Sequence, residues 1–269
     1  MISIIIPVIE YNEALFDATI NSVKAQQEDW DGSMQVIIAT ANEMDIPSEK
    51  LQGFEQFKIS GDSSIQNFVN ESVANLVSQQ YFAVLKVGDE IVQGYLKKAF
   101  DGYIMKHQEP SCYMNIVYEV DVENNFVGMY NDASWHNGVV SRVGHYTFEE
   151  MSKRKQLLSP AFVIYKTMEY VELGSLKKNI ELFYELELIY RMARQGHTVF
   201  VIPRMGVKSL QSNWLRLDGS KNITDITSIR FWLNTIINES AFDIDRKIDK
   251  TDLLELKDKS NFEEPEAIV

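Results

Sequence analysis

Short apolar runs alternate with amphipathic segments over the first 107 residues of the chain. The mostly apolar run Ile2–Val8 is typical of a buried parallel strand. Apolar residues then recur three and four positions apart from Ala14 to Gln27, which predicts a helix. The same alternation continues, with strands predicted at Gln35–Thr40, Phe57–Ser60 and Tyr81–Leu85, and helices predicted after Ser63 or Ser64 and over Gln93–His107. Such a βαβ series predicts a parallel sheet with right-handed crossovers.

The second half of the chain has a different pattern. A hairpin-like pair is followed by a polar stretch, an isolated strand, a strong helix that stops at Gly196, and a strand closed by Pro203. Beyond Gly206 the sheet pattern is lost, apart from one amphipathic helix. The predicted elements are Ser111–Val120 with Asn125–Met129, the polar stretch Tyr130–Leu158, Pro160–Tyr165, Asn179–Gln195, Thr198–Ile202 and the helix Asp225–Asn238. We therefore predict an α/β domain over residues 1–206 and a helical C-terminal extension and tail over residues 207–269.

A ligand site is expected at one edge of this sheet. Ligands of open α/β sheets bind at the carboxyl ends of the strands. The loops that follow Val8, Thr40 and Leu85 are therefore the candidates.

Charge and composition narrow the function classes. The chain has 26 Lys and Arg against 39 Asp and Glu, a net charge of −13. This balance argues against general nucleic-acid binding, because affinity for phosphate backbones comes largely from basic side chains. Cys112 is the one cysteine, which excludes an intramolecular disulfide framework, and it is expected to be a small buried residue. The apolar N-terminal run is too short to span a bilayer and lacks a basic start, so no transmembrane segment and a cytoplasmic location are expected.

The order of motifs resembles glycosyltransferase family 2 of the GT-A fold. The resemblance covers about residues 1–206, and it rests on order and spacing rather than on any single motif. The matching pieces are Ser3–Val8 followed by Tyr11-Asn12, the helix pattern of Ser22, Val23 and Gln26, the segment Leu85–Asp89 at the place of the Asp-x-Asp turn, and Tyr184–Arg191 followed by Gly196 and a strand ending in Pro203.

The resemblance implies a GT-A mixed sheet flanked by helices, and an enzyme that moves a sugar from a nucleotide-sugar donor to an acceptor hydroxyl. The donor would be a UDP-hexose or UDP-N-acetylhexosamine, and the acceptor a glycan or glycoconjugate. In that family the Asp-x-Asp acids hold a divalent metal, Mn²⁺ or Mg²⁺, that neutralises the leaving diphosphate. Here the motif is degenerate, with Lys86 and Gly88 at two of its positions. Asp89 is the position left to bind metal.

Glu185 is the candidate general base. On a helical wheel it lies at the border of the buried face, whereas Glu187 and Arg191 lie far round and are expected to form an exposed i,i+4 pair. Lys86 is expected either to neutralise the diphosphate directly or to be a surface lysine paired with Glu90. The donor-binding residues implied by the resemblance are Pro7, Tyr11, Thr40, Asn67, Lys86 and Arg216. The acceptor-binding candidates are Trp135 and His136, in a loop rich in aromatic and imidazole side chains.

Two alternatives stay open at this point. Because Thr40-Ala41 replace the family's acidic pair after the second strand, the chain could instead be a catalytically inactive GT-A-fold protein that binds a glycan or a protein partner. Asp89 could instead be an ordinary turn and cap residue, since Gly-Asp is a common turn pair. The helix Asp225–Asn238 is predicted to pack or to form a homodimer contact.

Overall fold

The computed structural model describes residues 1–131, 145–146, 158–178, 180 and 183–210. Within these ranges the chain forms one mixed sheet of ten strands with helices on both faces. The strands are β1 (Ile2–Val8), β2 (Met34–Ala41), β3 (Glu55–Ile59), β4 (Tyr81–Val84), β5 (Glu90–Ile91), β6 (Cys112–Val120), β7 (Phe126–Tyr130), β8 (His145–Tyr146), β9 (Ile164–Lys166) and β10 (Val199–Leu210). The α-helices are α1 (Glu13–Asp29), α2 (Ile65–Asn75), α3 (Tyr95–Ala99), α4 (Thr167–Glu172) and α5 (Tyr184–Arg194).

The first four strands form the parallel half of the sheet. The strand order is β3-β2-β1-β4-β9-β6-β10-β5, with β7 added beside β6 and β8 beside β10. Strands β1 to β4 pair in parallel, which confirms the prediction from the βαβ series. Strand β9 runs antiparallel to both of its neighbours, β4 and β6, and so joins the parallel half to the rest of the sheet.

Two apolar layers cover the two faces of the sheet. On one face, α1 packs through Phe16, Ile20 and Val23, the residues whose spacing predicts the helix, and α3 packs beside it. On the other face, α2 packs through Phe68 and Val69 together with α4 and α5. Burial of both faces explains why the central strands are apolar along their whole length rather than alternating.

Local side-chain caps fix where α1 and α2 begin. The Asn12 side chain accepts a hydrogen bond from the Leu15 amide at 3.1 Å, and the Ser64 hydroxyl accepts one from the Asn67 amide at 3.2 Å. Of the two caps that the sequence allows for α2, the structure selects Ser64. Because α1 follows β1 and α2 follows β3, both helices start at the carboxyl edge of the parallel strands.

Several predicted element bounds are wrong. Helix α3 starts two residues later than predicted and becomes a π-helical turn over Phe100–Ile104. Helix α5 begins at Tyr184, not near residue 179, because Phe183 has a left-handed backbone (φ 58°) that precedes the first helical turn. The strand predicted at Pro160–Tyr165 is confined to β9.

Strand β10 runs on past the proline that was predicted to close it. Its pairing with β6 shifts register between Ile202 and Met205 and again between Met205 and Val207. These bulges carry Pro203 out of the ladder, where its missing N–H costs no hydrogen bond. The strand then continues to Leu210, across the predicted division at residue 206. That division stays a prediction, because residues 211–269 lie outside the described ranges.

Two further findings concern the described residues. Cys112 is fully buried, as predicted. None of the helices described is both long enough and apolar enough to cross a bilayer.

Candidate active site

The loops predicted to hold the site meet at one edge of the sheet. In the parallel register Val8 lies beside Thr40, and Ile5 lies beside Val84. If the register of β1 and β4 is continued two residues beyond Ile5 and Val84, Lys86 lies beside Pro7. The carboxyl ends of β1, β2 and β4 therefore converge, as expected for the ligand-binding edge of an open α/β sheet.

A tight turn follows β4 and is held by α1. The Asp89 amide donates to the Lys86 carbonyl at 2.9 Å, and Gly88 adopts a φ of 95° that favours glycine. The Thr19 hydroxyl of α1 accepts a hydrogen bond from the Gly88 amide and donates one to the Asp89 carbonyl, both at 2.9 Å. The backbone of the turn is thus positioned by the buried face of the first helix.

The helix motif of Ser22, Val23 and Gln26 has a structural role beside this turn. The Ser22 hydroxyl accepts a hydrogen bond from the Ile91 amide at 3.0 Å. The Gln26 amide group donates to the Val92 carbonyl at 3.0 Å and accepts from the Leu96 amide at 3.1 Å. These contacts hold β5 and the start of α3 against α1.

The carboxylate of Asp89 fastens the turn to the end of β10. Its Oδ1 accepts hydrogen bonds from the Ser209 hydroxyl at 3.0 Å and from the Leu210 amide at 2.9 Å. Asp89 is only 1% exposed, and β5 rather than a helix follows it, so it does not cap α3. The side chain links the β4 turn to β10, which β9 and β6 separate from β4 in the sheet.

A buried ion pair is the central feature of this edge. The Lys86 Nζ lies 2.5 Å from Glu185 Oε2, and the two side chains are 8% and 6% exposed. The same Nζ lies 5.5 Å from the ring centre of Tyr184. Lys86 is therefore neither at the surface nor paired with Glu90, which instead pairs with Lys208 at 2.8 Å.

Electrostatics keep the Lys86 ammonium group charged. Burial alone would lower the pKa of Lys86, but Glu185, Tyr184 and Asp89 together outweigh burial, Glu185 contributing most, and hold that pKa above the ordinary lysine value. Burial raises the pKa of Tyr184 to about 12, against the opposing charge of Lys86. Glu185 lies in the first turn of α5, where the positive end of the helix dipole favours a carboxylate.

The expectation of an exposed Glu187–Arg191 pair is wrong. Glu187 is fully buried, and the Arg191 guanidinium binds its carboxylate at 2.8 and 3.0 Å. Arg191 also donates to the carbonyls of Leu173 and Ser175, in the segment that follows α4. A helical wheel of one helix cannot show that a second segment covers its polar side.

The other donor candidates lie around the same edge with different contacts. Asn67, at the start of α2, donates to the Asp62 carbonyl at 2.8 Å and accepts from Lys178 Nζ at 2.6 Å. Thr40 lines a small pocket of about 50 Å³ beside the end of β2. Tyr11 is half-buried, with its ring edge-on to Phe16. Arg216, Trp135 and His136 lie outside the described residues, and their roles stay predictions.

The residues at the Asp-x-Asp position do not fit a divalent cation. Lys86 brings an ammonium group to the place of the first ligand, and a cation repels a metal ion. The Asp89 carboxylate already accepts two hydrogen bonds. Within the described ranges no cluster of three or more His, Cys, Asp or Glu side chains is arranged to hold a metal. Metal binding by Asp89 stays a prediction that this geometry does not favour.

Several contacts that build the site have no counterpart in the sequence pattern. Ser209 and Leu210 follow the last predicted strand, and only the continuation of β10 brings them to Asp89.

A larger groove of about 430 Å³ lies on the α3 side of the sheet. Arg204, which the bulges of β10 leave exposed, lines this groove together with Lys98. The proline in an otherwise apolar strand was the available hint of these bulges.

Comparisons with known proteins support the fold. No family model matches the chain, and no curated protein matches it. Among solved structures, S. aureus TarS residues 1–349 in complex with UDP-GlcNAc matches with a TM-score of 0.59 and 14% identity, over 94% of this chain and 69% of that chain. The complex of the same TarS fragment with UDP matches with a TM-score of 0.59 and 13% identity, over 94% and 68%. The fold is thus the GT-A type found in these glycosyltransferase neighbours.

The matched region is only part of the larger neighbour. A longer TarS structure matches 93% of this chain but 44% of its own length, with a TM-score of 0.58 and 13% identity. A further structure of TarS residues 1–349 matches over 60% of its own length. At this level of sequence identity the structural match supports the fold alone, and the activity has to be inferred from the site.

Proposed function

We propose that this chain is a glycosyltransferase that moves a sugar from a UDP-sugar donor to an acceptor hydroxyl. The fold supports a nucleotide-sugar enzyme at the coarse level, since two of its structural neighbours carry UDP and UDP-GlcNAc. The observation that carries the proposal is the buried Lys86–Glu185 pair at the carboxyl edge of β1, β2 and β4. In such a transfer a cation can stabilise the leaving diphosphate and a carboxylate can take the acceptor proton, and this pair supplies one group of each kind.

The proposed chemistry assigns one task to each member of the pair. Attack by the acceptor oxygen on the anomeric carbon forms the new glycosidic bond and breaks the bond from that carbon to the diphosphate. Glu185 takes the proton of the acceptor hydroxyl as general base, a role worth about 10²- to 10⁴-fold in rate. The ammonium group of Lys86 stabilises the charge that develops on the leaving diphosphate. The donor is a UDP-hexose or UDP-N-acetylhexosamine in this proposal, and the acceptor is a glycan or glycoconjugate.

A nucleotide panel tests the proposal at the level of binding. The melting temperature of the full chain is measured with UDP, GDP and CDP, each with EDTA and with Mn²⁺. The proposal predicts that UDP raises the melting temperature more than the other two, because a bound ligand stabilises the folded state by mass action. If no nucleotide changes the melting temperature in either condition, the proposal is wrong.

A second candidate is a catalytically inactive GT-A-fold protein that binds a glycan or a protein partner. One specific observation favours it: both acids at the site already have partners, Glu185 with Lys86 and Asp89 with Ser209 and Leu210. Release of UDP from a UDP-sugar separates the two candidates. Turnover by the wild-type chain that is lost in Glu185→Gln supports the enzyme, and nucleotide-independent glycan binding without turnover supports the alternative.

A further inference from the structure

The position of a metal ligand in the fold family is occupied by a cation that is already paired with the candidate base. Lys86 stands at that position, and its Nζ lies 2.5 Å from Glu185 Oε2. Both groups are buried, so water does little to weaken the attraction between them. In the chain without donor, the two groups with roles in sugar transfer neutralise each other.

We propose that the chain binds the donor diphosphate without a divalent metal, and that the diphosphate draws the Lys86 ammonium group away from Glu185. This inference rests on the proposed function and deepens it. Binding of the donor then frees the Glu185 carboxylate to accept the proton of the acceptor hydroxyl. The site is switched on by its own donor, and the order of events is donor first and proton transfer second.

The geometry permits such an exchange of partners. Lys86 lies just beyond β4, level with Pro7, at the edge where ligands of such sheets bind. Its flexible four-carbon stem lets the ammonium group move while the backbone stays fixed. Thr19 holds the backbone of the turn, and Ser209 holds the carboxylate of Asp89. The Lys86 side chain can therefore move while the turn that carries it stays in place.

The neighbouring contacts support an ammonium group in place of a metal ion. The Asp89 carboxylate accepts hydrogen bonds from β10, which ties it to a structural task. The Tyr184 ring lies 5.5 Å from Lys86 Nζ and offers its face to a cation. The diphosphate of a UDP-sugar carries two negative charges, one on each phosphate group, whereas a carboxylate carries one, and this difference favours the exchange.

The test is a calorimetric titration of UDP into the full chain, in EDTA and in Mn²⁺. The variants are Glu185→Gln and the double variant Lys86→Met/Glu185→Gln. The double variant removes both charges, so it leaves no unpaired buried carboxylate and guards against a failure to fold. Lys166→Met is the matched control, because Lys166 pairs with Glu169 at 3.0 Å at the opposite end of β4.

The inference predicts that wild-type affinity for UDP is the same in EDTA and in Mn²⁺. Loss of one charge-assisted contact weakens UDP binding by about ten- to a hundredfold in the double variant, and the Lys166 control keeps wild-type affinity. Glu185→Gln alone binds UDP at least as tightly as the wild type, because nothing competes for Lys86.

Two kinds of result contradict the inference, and only one of them also contradicts the proposed function. Binding of UDP by the wild type only in Mn²⁺, or wild-type affinity in the double variant, contradicts the role of Lys86 and leaves the proposed function standing. Absence of UDP binding in every condition removes the proposed function itself, and the inference with it.

Discussion

The Lys86→Met substitution removes the ammonium group from a buried ion pair and leaves the Glu185 carboxylate behind. Because the two side chains are only 8% and 6% exposed, water cannot replace the lost partner. Removal of one partner of such a pair costs about 3 to 5 kcal/mol in the free energy of unfolding. For a chain of this size, that loss lowers the melting temperature by about 6 to 20 °C.

The double variant and a half-buried pair provide the comparison. Lys86→Met/Glu185→Gln removes both charges, so its stability should return to or exceed that of the wild type, as for other buried pairs replaced together. The Lys208–Glu90 pair has a similar distance of 2.8 Å but side chains that are 30% and 35% exposed. Lys208→Met should therefore cost no more than about 1 kcal/mol.

Urea unfolding of the four proteins, followed by circular dichroism, measures these differences. The expected order of stability places Lys86→Met clearly below the wild type, the Lys208 variant and the double variant. The reasoning is refuted if Lys86→Met costs no more than Lys208→Met, since burial would then have no effect on the value of the pair.

Three further predictions concern stability. Arg191→Met should lower the free energy of unfolding by about 3 to 5 kcal/mol in urea titrations, because it leaves the buried Glu187 carboxylate without its partner. A loss below about 1 kcal/mol would contradict this reasoning. Gly88→Ala should cost about 1 to 2 kcal/mol in the same assay, because φ is 95° there, and an unchanged midpoint would refute it. Hydrogen bonds from Asn125 and Glu123 lower the pKa of Asp121, so its stabilising effect is present above the ordinary value of 3.8 and lost as the pH falls further. Amide exchange in the β6–β7 hairpin should thus be faster in Asp121→Ala at neutral pH, with the difference absent at low pH.

The sign of the pH effect at Lys86 is the opposite. The pKa of Lys86 is raised, so its contribution to stability is complete below the ordinary value of 10.5 and is lost only as the pH rises through the higher folded-state pKa. The stability difference between the wild type and Lys86→Met/Glu185→Gln, in which neither group can titrate, should therefore stay constant from about pH 7 to about pH 9. Urea titrations across that range check it, and a difference that shrinks below pH 9 would contradict the raised pKa.

Periodicity was enough to predict the parallel half of the sheet. The run Ile2–Val8 and the spacing of Phe16, Ile20 and Val23 depend on local rules, and both elements formed as predicted. The meeting of three loops at one edge followed from parallel pairing alone. These features depend only on the alternation of strands and helices, which the hydrophobic pattern of the sequence shows directly.

The details of the site depend on contacts between distant segments. Lys86 and Glu185 are 99 residues apart, and no local pattern reveals that they touch. Glu187 looked exposed because the segment after α4 that covers it cannot be inferred from the helix itself. Strand β10 was predicted too short because a proline usually ends a strand, whereas here bulges carry it out of the ladder.

Steady-state kinetics of UDP release from a UDP-sugar test the central claim most directly. The measurement compares the full wild-type chain with Glu185→Gln, with water or a glycan as acceptor. The account predicts that kcat falls by about 10²- to 10⁴-fold, because the general base is lost, while KM for the donor does not rise. An unchanged kcat, or an equal loss of kcat and donor affinity, would contradict the assignment of Glu185 as the base that Lys86 holds until the donor binds.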